Sequence, residues 1–268
     1  MTDEILQRIK QLPPLPDSAM QIETVYQDPN SSFQDMVKII EKDPLLTADI
    51  LKAANSPLYG FSREINSISQ AVGLFGMGTV RGFALASIVK KSFALDLSPY
   101  GLNEATFAEL TKKEHGLTTA WCLKTENRLM GILSPAAFLI EIGKVIIAQV
   151  IINDGKEEQF KSALAELNND ADAAELEVLG VSTPEVSAKI FEHWKFEKNL
   201  VDVIGNSPNP QNASSDDNKR AAAILKVVRT TISPNGSISD ENIKKAKALI
   251  EEYSLNMQSY ENALEGMK

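Results

Sequence analysis

One cysteine and two histidines are all the thiol and imidazole side chains that 268 residues supply for disulfides, metal ligation and catalysis. Cys122 is alone, so no intrachain disulfide can form; with no base near it in sequence, it reads as a core residue rather than a reactive thiol. His115 and His193 each lack a neighbouring histidine and form no recognisable nucleophile–base pair. Positive charge is short as well. Residues 1–104 carry 9 basic and 12 acidic side chains and the remainder 18 and 24, for a net charge of −9. Phosphate contacts need clustered Lys and Arg, so neither half reads as a basic module, and nucleic acid and acidic membranes are disfavoured as partners.

A secretory leader is missing too. MTDEILQRIK opens with acidic residues and no apolar core follows, which points to the cytoplasm. The most apolar stretch, Ala136–Ile152, is interrupted by Glu141 and Lys144 and is too short to span a membrane, so it reads as a buried helix. No alternation of β-branched and polar residues is long enough for a sheet, and there is no internal repeat or low-complexity tract. The expectation is an all-α protein, long enough for one large core or two small ones.

What is present is clearest from Asp43 to Gly60, DPLLTADILKAANSPLYG. Asp43 is placed to cap a helix whose first residue is Pro44, and Leu46, Ile50 and Ala54 follow at helical spacing. Asn55 is a candidate for a left-handed terminating residue, Pro57 prevents the helix from resuming, and Tyr59, Gly60 and Phe61 form a compact aromatic loop. Upstream, Thr2–Gln11 and Asp17–Gln27 read as helices separated by the extended segment LPPLP. Phe33, Met36, Val37 and Ile40 make the stripe of an amphipathic helix capped by Ser31 or Ser32.

Downstream, a short helix over Ile65–Leu74 is followed by Gly73, Gly76 and Gly78 as a turn, then by a helix from Thr79 to about Leu95. Arg81 beside these glycines invites a phosphate loop. Their spacing, however, is neither the dinucleotide fingerprint nor a Walker loop and follows no strand, so close helix packing is the better explanation. Ser98, Pro99 and Gly101 mark a boundary that divides residues 1–103 from 104–268. Beyond it lie helices over Glu104–Leu129 and Pro135–Ile152 and more polar ones to Leu179. Thr183 then caps a helix with Pro184 first and Val186, Ile190 and Trp194 on its buried face. A polar loop over Gly205–Asn218 precedes closing helices over Lys219–Thr231 and Asp240–Ser254.

The central stretch, taken with LPPLP at residues 12–16, resembles the HDOD family, a helical relative of the HD phosphohydrolases that lacks their catalytic residues. Leu12 to Pro16 resemble its opening motif, Asp43-Pro44 and Asn55-Ser56 its central motif, and Leu74 to Gly76 fall where it has a Leu-Gly pair. The resemblance covers residues 12–207. It implies a multi-helical bundle, with the N-terminal helical subdomain packed on a degenerate HD-like subdomain that ends in the closing helices.

An HD-type site needs several nitrogen and oxygen ligands, including an adjacent His-Asp pair, to acidify a bound water. By resemblance His115, in KKEHGLTTA, matches the first histidine, while Ile140 stands where the paired histidine would be and Glu141 where the aspartate would be. Thr183 replaces another histidine, and the loop Gly205–Pro210 replaces a later histidine pair. The resemblance therefore implies no catalytic residue, metal or cofactor. Glu141 and Lys144, at i and i+3, are also the spacing of an ordinary surface pair, which is the reading favoured here, and His193 reads as a partly exposed helix residue.

The function that follows is a cytoplasmic, non-catalytic regulatory module acting through protein contacts. If the HDOD-like region and closing helices fill the chain, signalling proteins are reached in trans rather than through an attached domain. Candidate contact residues are Asn55, Ser56, Tyr59 and Phe61, with the junction at residues 98–103. Asn55 and Ser56 fit a cap and turn at least as well, and Tyr59 and Phe61 fit a contact face or a loop pinned to the core. A second reading is a nucleotide or second messenger in a relic pocket of His115, Glu141 and Thr183. A surviving metal phosphohydrolase is the least favoured.

Overall fold

Local capping sets where the first helices begin. In the computed structural model, which describes residues 2–59, 61, 63–91 and 96–267, the side chain of Thr2 caps α1 (Asp3–Lys10) and the LPPLP segment stays non-helical before α2 (Asp17–Gln27). Ser32 and Asp35 form a reciprocal capping box on α3 (Phe33–Glu41). Asp43 accepts from the backbone nitrogens of Leu45 and Leu46, both at 3.0 Å, to start α4 (Pro44–Ala54). Phe33, expected on the buried stripe of α3, is instead 44% exposed, while Met36, Val37 and Ile40 are buried.

The next helix, α5 (Ile68–Lys91), starts three residues later than Ile65 and is interrupted only at Gly76, whose φ of 80° few other residues adopt. Gly73 and Gly78 are helical, so the expected three-glycine turn is one kink. Gly60 of the aromatic loop and the end of the helix expected to reach Leu95 lie outside the described residues. Leu97 and Leu102 form one isolated bridge, and no strand occurs among the described residues.

The second half comprises α6 (Glu104–Cys122), α7 (Met130–Leu139), α8 (Gly143–Asn153), α9 (Glu157–Glu166), α10 (Ala171–Leu179), α11 (Thr183–His193), α12 (Lys198–Gly205), α13 (Asp216–Thr231), α14 (Asp240–Glu252) and α15 (Met257–Glu265). The fold is all-α. The helix expected over Glu104–Leu129 ends at Cys122, and the apolar helix expected over Pro135–Ile152 is broken by a 3-10 turn at Ile140–Ile142. Ser182, not Thr183, caps α11, in a box with Glu185.

One continuous apolar core runs from Ile5 to Leu264 and includes Cys122, as expected. Two stretches, Ile68–Ile88 and Asn127–Asn153, are long and apolar enough to cross a membrane by length and composition, and both are mostly buried inside the protein. Glycines allow the closest approaches: a Cβ on Gly78 would lie 2.7 Å from the Gly131 Cα, so α5 and α7 touch backbone to backbone there. A Cβ on Gly143 would press on the Thr183 carbonyl oxygen and lie 2.8 Å from Ser187 Oγ, the atom that accepts from the Gly143 nitrogen. Gly143→Ala is expected to cost about 3 kcal/mol or more, because backbone rather than a flexible side chain must move. Gly73→Ala meets nothing within 4 Å and is expected to be neutral or to stabilise by up to about 1 kcal/mol. Urea denaturation of both variants checks the contrast.

Candidate functional site

Helix α6 brings Glu114 and His115 to the centre of the bundle side by side, and they meet different surroundings. The His115 ring is fully buried and stacks on Phe138 with centroids 3.8 Å apart. Its Nε2 lies 2.8 Å from Ser134 Oγ, and its Nδ1 lies 2.5 Å from the Tyr59 hydroxyl. Burial holds the ring neutral, with its pKa pushed down to about 3. Both nitrogens are occupied, and Ser134 is itself fully buried, so no substrate reaches this serine–histidine pair.

The aromatic loop is tied to that ring. Tyr59 also makes edge contacts with Phe75 and Phe83. Asn55 has φ −86° and is not left-handed; its amide instead donates to the Leu51 and Ile65 carbonyls while its oxygen accepts from the Ile65 nitrogen. Asn55 thus staples the loop to the chain ten residues on. Ser56 is half-buried, and Phe61 is the loop aromatic left exposed, at 44%, with its ring edge on Phe75.

Glu141 departs furthest from expectation. It is no surface residue: Glu141 and Lys144 are both buried, with Lys144 Nζ 2.5 Å from Glu141 Oε2. Arg229 of α13 donates from Nε to Glu141 Oε1 at 2.5 Å and clasps Asp172 with its two terminal nitrogens. Glu175 lies 3.8 Å from Lys144 and accepts from the Tyr100 hydroxyl at 2.8 Å and the Thr183 hydroxyl at 2.7 Å. Burial opposes ionising Glu141, but Arg229 and Lys144 overcome it and hold its pKa down to about 2. Burial pushes Glu175 up to about 7 against the pull of Lys144. Two cations, Lys144 and Arg229, are therefore paired with the carboxylates of Glu141 and Asp172 inside the fold.

Of the three residues expected to share a pocket, Glu141 lines a cavity, Thr183 joins it through Lys144, whose Nζ lies 3.5 Å from the Thr183 hydroxyl, and His115 faces Tyr59 and Phe138 instead. Nor do the residues fit a metal. Among the described residues no three His, Cys, Asp or Glu side chains come together as a ligand set, and the carboxylates nearest such a place are held by Lys144 and Arg229. Arg81 gives the same answer for phosphate: it is fully buried, and its guanidinium forks onto Glu23 at 2.5 and 2.7 Å and reaches Glu197 at 3.3 Å. His193 is exposed at the end of α11.

The cavity that Glu141 lines has a volume of about 300 Å³ and opens between α10, α13 and α14. Glu114 and Ser207 stand in its wall with Glu114 Oε2 and Ser207 Oγ buried and bonded to nothing. Sequence reasoning missed Glu114, Asp172, Ser207, Lys226 and Arg229 here. The signals were the adjacency of Glu114 to His115 and the place of Ser207 in the loop Gly205–Pro210.

An all-helical, HD-related bundle whose site is filled by internal ion pairs is the class that fold and site define. The HDOD domain model matches residues 12–210, and the chain belongs to the HDOD family. A crystal structure of a virulence factor from Campylobacter jejuni subsp. jejuni is 31% identical, covering 98% of this chain and 93% of that one, with a TM-score of 0.56. A "Putative phosphohydrolase" from Shewanella amazonensis SB2B is 22% identical over 99% of this chain and 94% of its own, with a TM-score of 0.67. A "Putative signal transduction protein" from Marinobacter aquaeolei VT8 is 21% identical over 100% of this chain and 59% of its own, with a TM-score of 0.69. The two last likenesses speak for the fold. A curated uncharacterized protein of Treponema pallidum (strain Nichols) is 33% identical over 73 residues, which span 27% of this chain and 14% of that protein.

Proposed function

We propose that this protein is a non-catalytic signal-transduction module of the cytoplasm that acts on other signalling proteins by direct contact. The observation that carries the reading is the buried network of Glu141, Lys144, Arg229 and Asp172. Metal-assisted hydrolysis needs an open cationic centre that acidifies water. Here two side-chain cations are already paired with the carboxylates, and a further divalent ion at the same place would meet Lys144 and Arg229. That pairing is what supports the non-catalytic reading over a metal-dependent phosphohydrolase.

Phe61, exposed, and Ser56, half-buried, form the contact face in this reading, with Asn55 and Tyr59 holding the loop in shape. An exposed aromatic on a braced loop loses little freedom when it docks, which favours a specific contact. The test is cross-linking mass spectrometry in the native cell with wild type and Phe61→Ser, both checked by circular dichroism, beside metal analysis and phosphodiesterase assay of the purified protein. Cross-links from residues 56–61 to a signalling protein, lost in the variant, together with no phosphodiesterase activity, are the expected result. Hydrolysis that tracks a stoichiometric bound metal would overturn the reading.

A further inference from the structure

We propose that the cavity between α10, α13 and α14 binds a small phosphate ester, held by Glu114, Ser207, Thr230 and Lys226. It goes beyond the protein-contact reading and does not rest on it. Buried polar atoms are almost always hydrogen-bonded, because an orphan forfeits its hydration without replacement. Among the described residues two such orphans exist, Glu114 Oε2 and Ser207 Oγ, and both line this one cavity. Glu114 is 2% exposed and Ser207 1%, so bulk water does not supply the missing partner. Both atoms lie in the cavity wall with almost no accessible surface of their own, so in this proposal the carboxyl and the hydroxyl turn toward the ligand to bond it.

The state of the other lining groups says what that group is. The acids are spoken for: Glu141 and Asp172 by Arg229 and Lys144, and Asp170 by the Ala173 nitrogen it caps. Apart from the side-chain amides of Asn168 and Asn169, which both donate and accept, what is left uncommitted can donate. Lys226 Nζ has only the Tyr253 hydroxyl at 3.4 Å and makes no ion pair among the described residues, and the Thr230 hydroxyl bonds no protein group there. Glu114 is a donor as well, since burial first and Glu141 second keep its carboxyl protonated well above the ordinary carboxylate range. Arg229, Lys144, Glu141 and Asp172 all face it, and with their own charges cancelled none of them ionises it. Three hydroxyl-type donors and an ammonium suit a ligand with many acceptors and negative charge. The three terminal oxygens of a phosphate monoester accept more of these bonds than the two of a carboxylate. At about 300 Å³ the cavity lies at the small end of ligand sites.

The experiment is a thermal-shift and calorimetric comparison of the whole protein with inorganic phosphate, ribose 5-phosphate and AMP, beside ribose, adenosine and citrate. The phosphorylated probes are expected to raise the melting temperature and to bind, and their uncharged counterparts are not. Lys226→Gln and Ser207→Ala should each weaken binding about tenfold. Ser207→Ala has a second signature, because deleting an orphan hydroxyl should leave the unliganded protein as stable as wild type or more so. Loss of binding in that variant is therefore not loss of folding. No shift with any phosphorylated probe, an equal shift with ribose or adenosine, a response confined to citrate, or binding unchanged in both variants would each overturn the proposal.

Discussion

Lys144→Met is expected to lower the free energy of unfolding by about 3–5 kcal/mol, read from urea denaturation at pH 7. Methionine fills the space of the lysine stem but brings no charge. Burial disfavours a charged Lys144, yet Glu141 and then Glu175 overcome it and raise its pKa, so the ammonium is a working half of the pair. Without it, Glu141 keeps Arg229 on one oxygen and loses its 2.5 Å partner on the other, with only 2% of the residue exposed. The penalty is the cost of that stranded carboxylate, not the net worth of the ion pair. Glu141→Gln added to Lys144→Met removes the stranded charge and should recover part of the loss, a positive coupling within the usual range of about 0.5–3 kcal/mol. A single variant that costs less than about 1 kcal/mol, with no recovery in the double, would show that the network is not held as described.

The same pair shows where sequence reading stops. At i and i+3 on a helix, Glu141 and Lys144 look like any surface pair, and nothing in residues 136–152 contradicts that. In the fold Glu141 sits in a 3-10 turn at Ile140–Ile142, both residues are buried, and Glu141 is bonded by an arginine 88 residues further on. Neither the turn nor the arginine has a local signature. Features set by neighbouring residues, by contrast, were legible: Asp43 and Pro44 start α4, the limits of α2 fall at Asp17 and Gln27, and Gly78 packs against a helix rather than a phosphate. Helices α12 and α15 were not singled out. The eight residues of α12 run straight into the Pro- and Asn-rich loop, and α15 buries only Tyr260, Ala263 and Leu264. The orphaned atoms of Glu114 and Ser207 were invisible for a deeper reason, since being without a partner is a property of the packed fold and not of any sequence window.

By resemblance His115 and Glu141 stand where HD-type ligands would, and in the fold His115 anchors the aromatic loop while Glu141 is half of an ion pair. These contacts tie distant parts of the chain together: Tyr59 meets His115 across 56 residues, and Tyr100 donates to Glu175 across 75. Glu114, next in sequence to His115, keeps one buried oxygen without a partner.

Acid should therefore reveal His115 as a stability sensor, and His115→Gln should remove the response. The folded-state pKa is pushed down to about 3, against 6.5 for the unfolded chain, so between those values the unfolded state binds a proton that the folded state does not. Its contribution is fully present above pH 6.5 and is lost as pH falls through the window, at about 1.4 kcal/mol per unit and about 3 kcal/mol by pH 4. Glu175 acts in the opposite sense. Its folded pKa of about 7 lies above the unfolded 4.5, so the folded state takes up the extra proton and gains stability as pH falls between them. Wild type alone would therefore show a blurred profile. Subtracting His115→Gln cancels Glu175, Glu114 and Glu141, which both proteins share. At pH 7 the variant should be less stable by about 1–3 kcal/mol, for the stacking on Phe138 and the bonds to Tyr59 and Ser134 that an amide replaces poorly. The gap should then close by about 3 kcal/mol on going to pH 4, bringing the two curves together or across each other. A gap that stays constant over that range would mean that His115 is protonated as easily in the fold as out of it, and that Tyr59 and Ser134 are not held by a neutral ring.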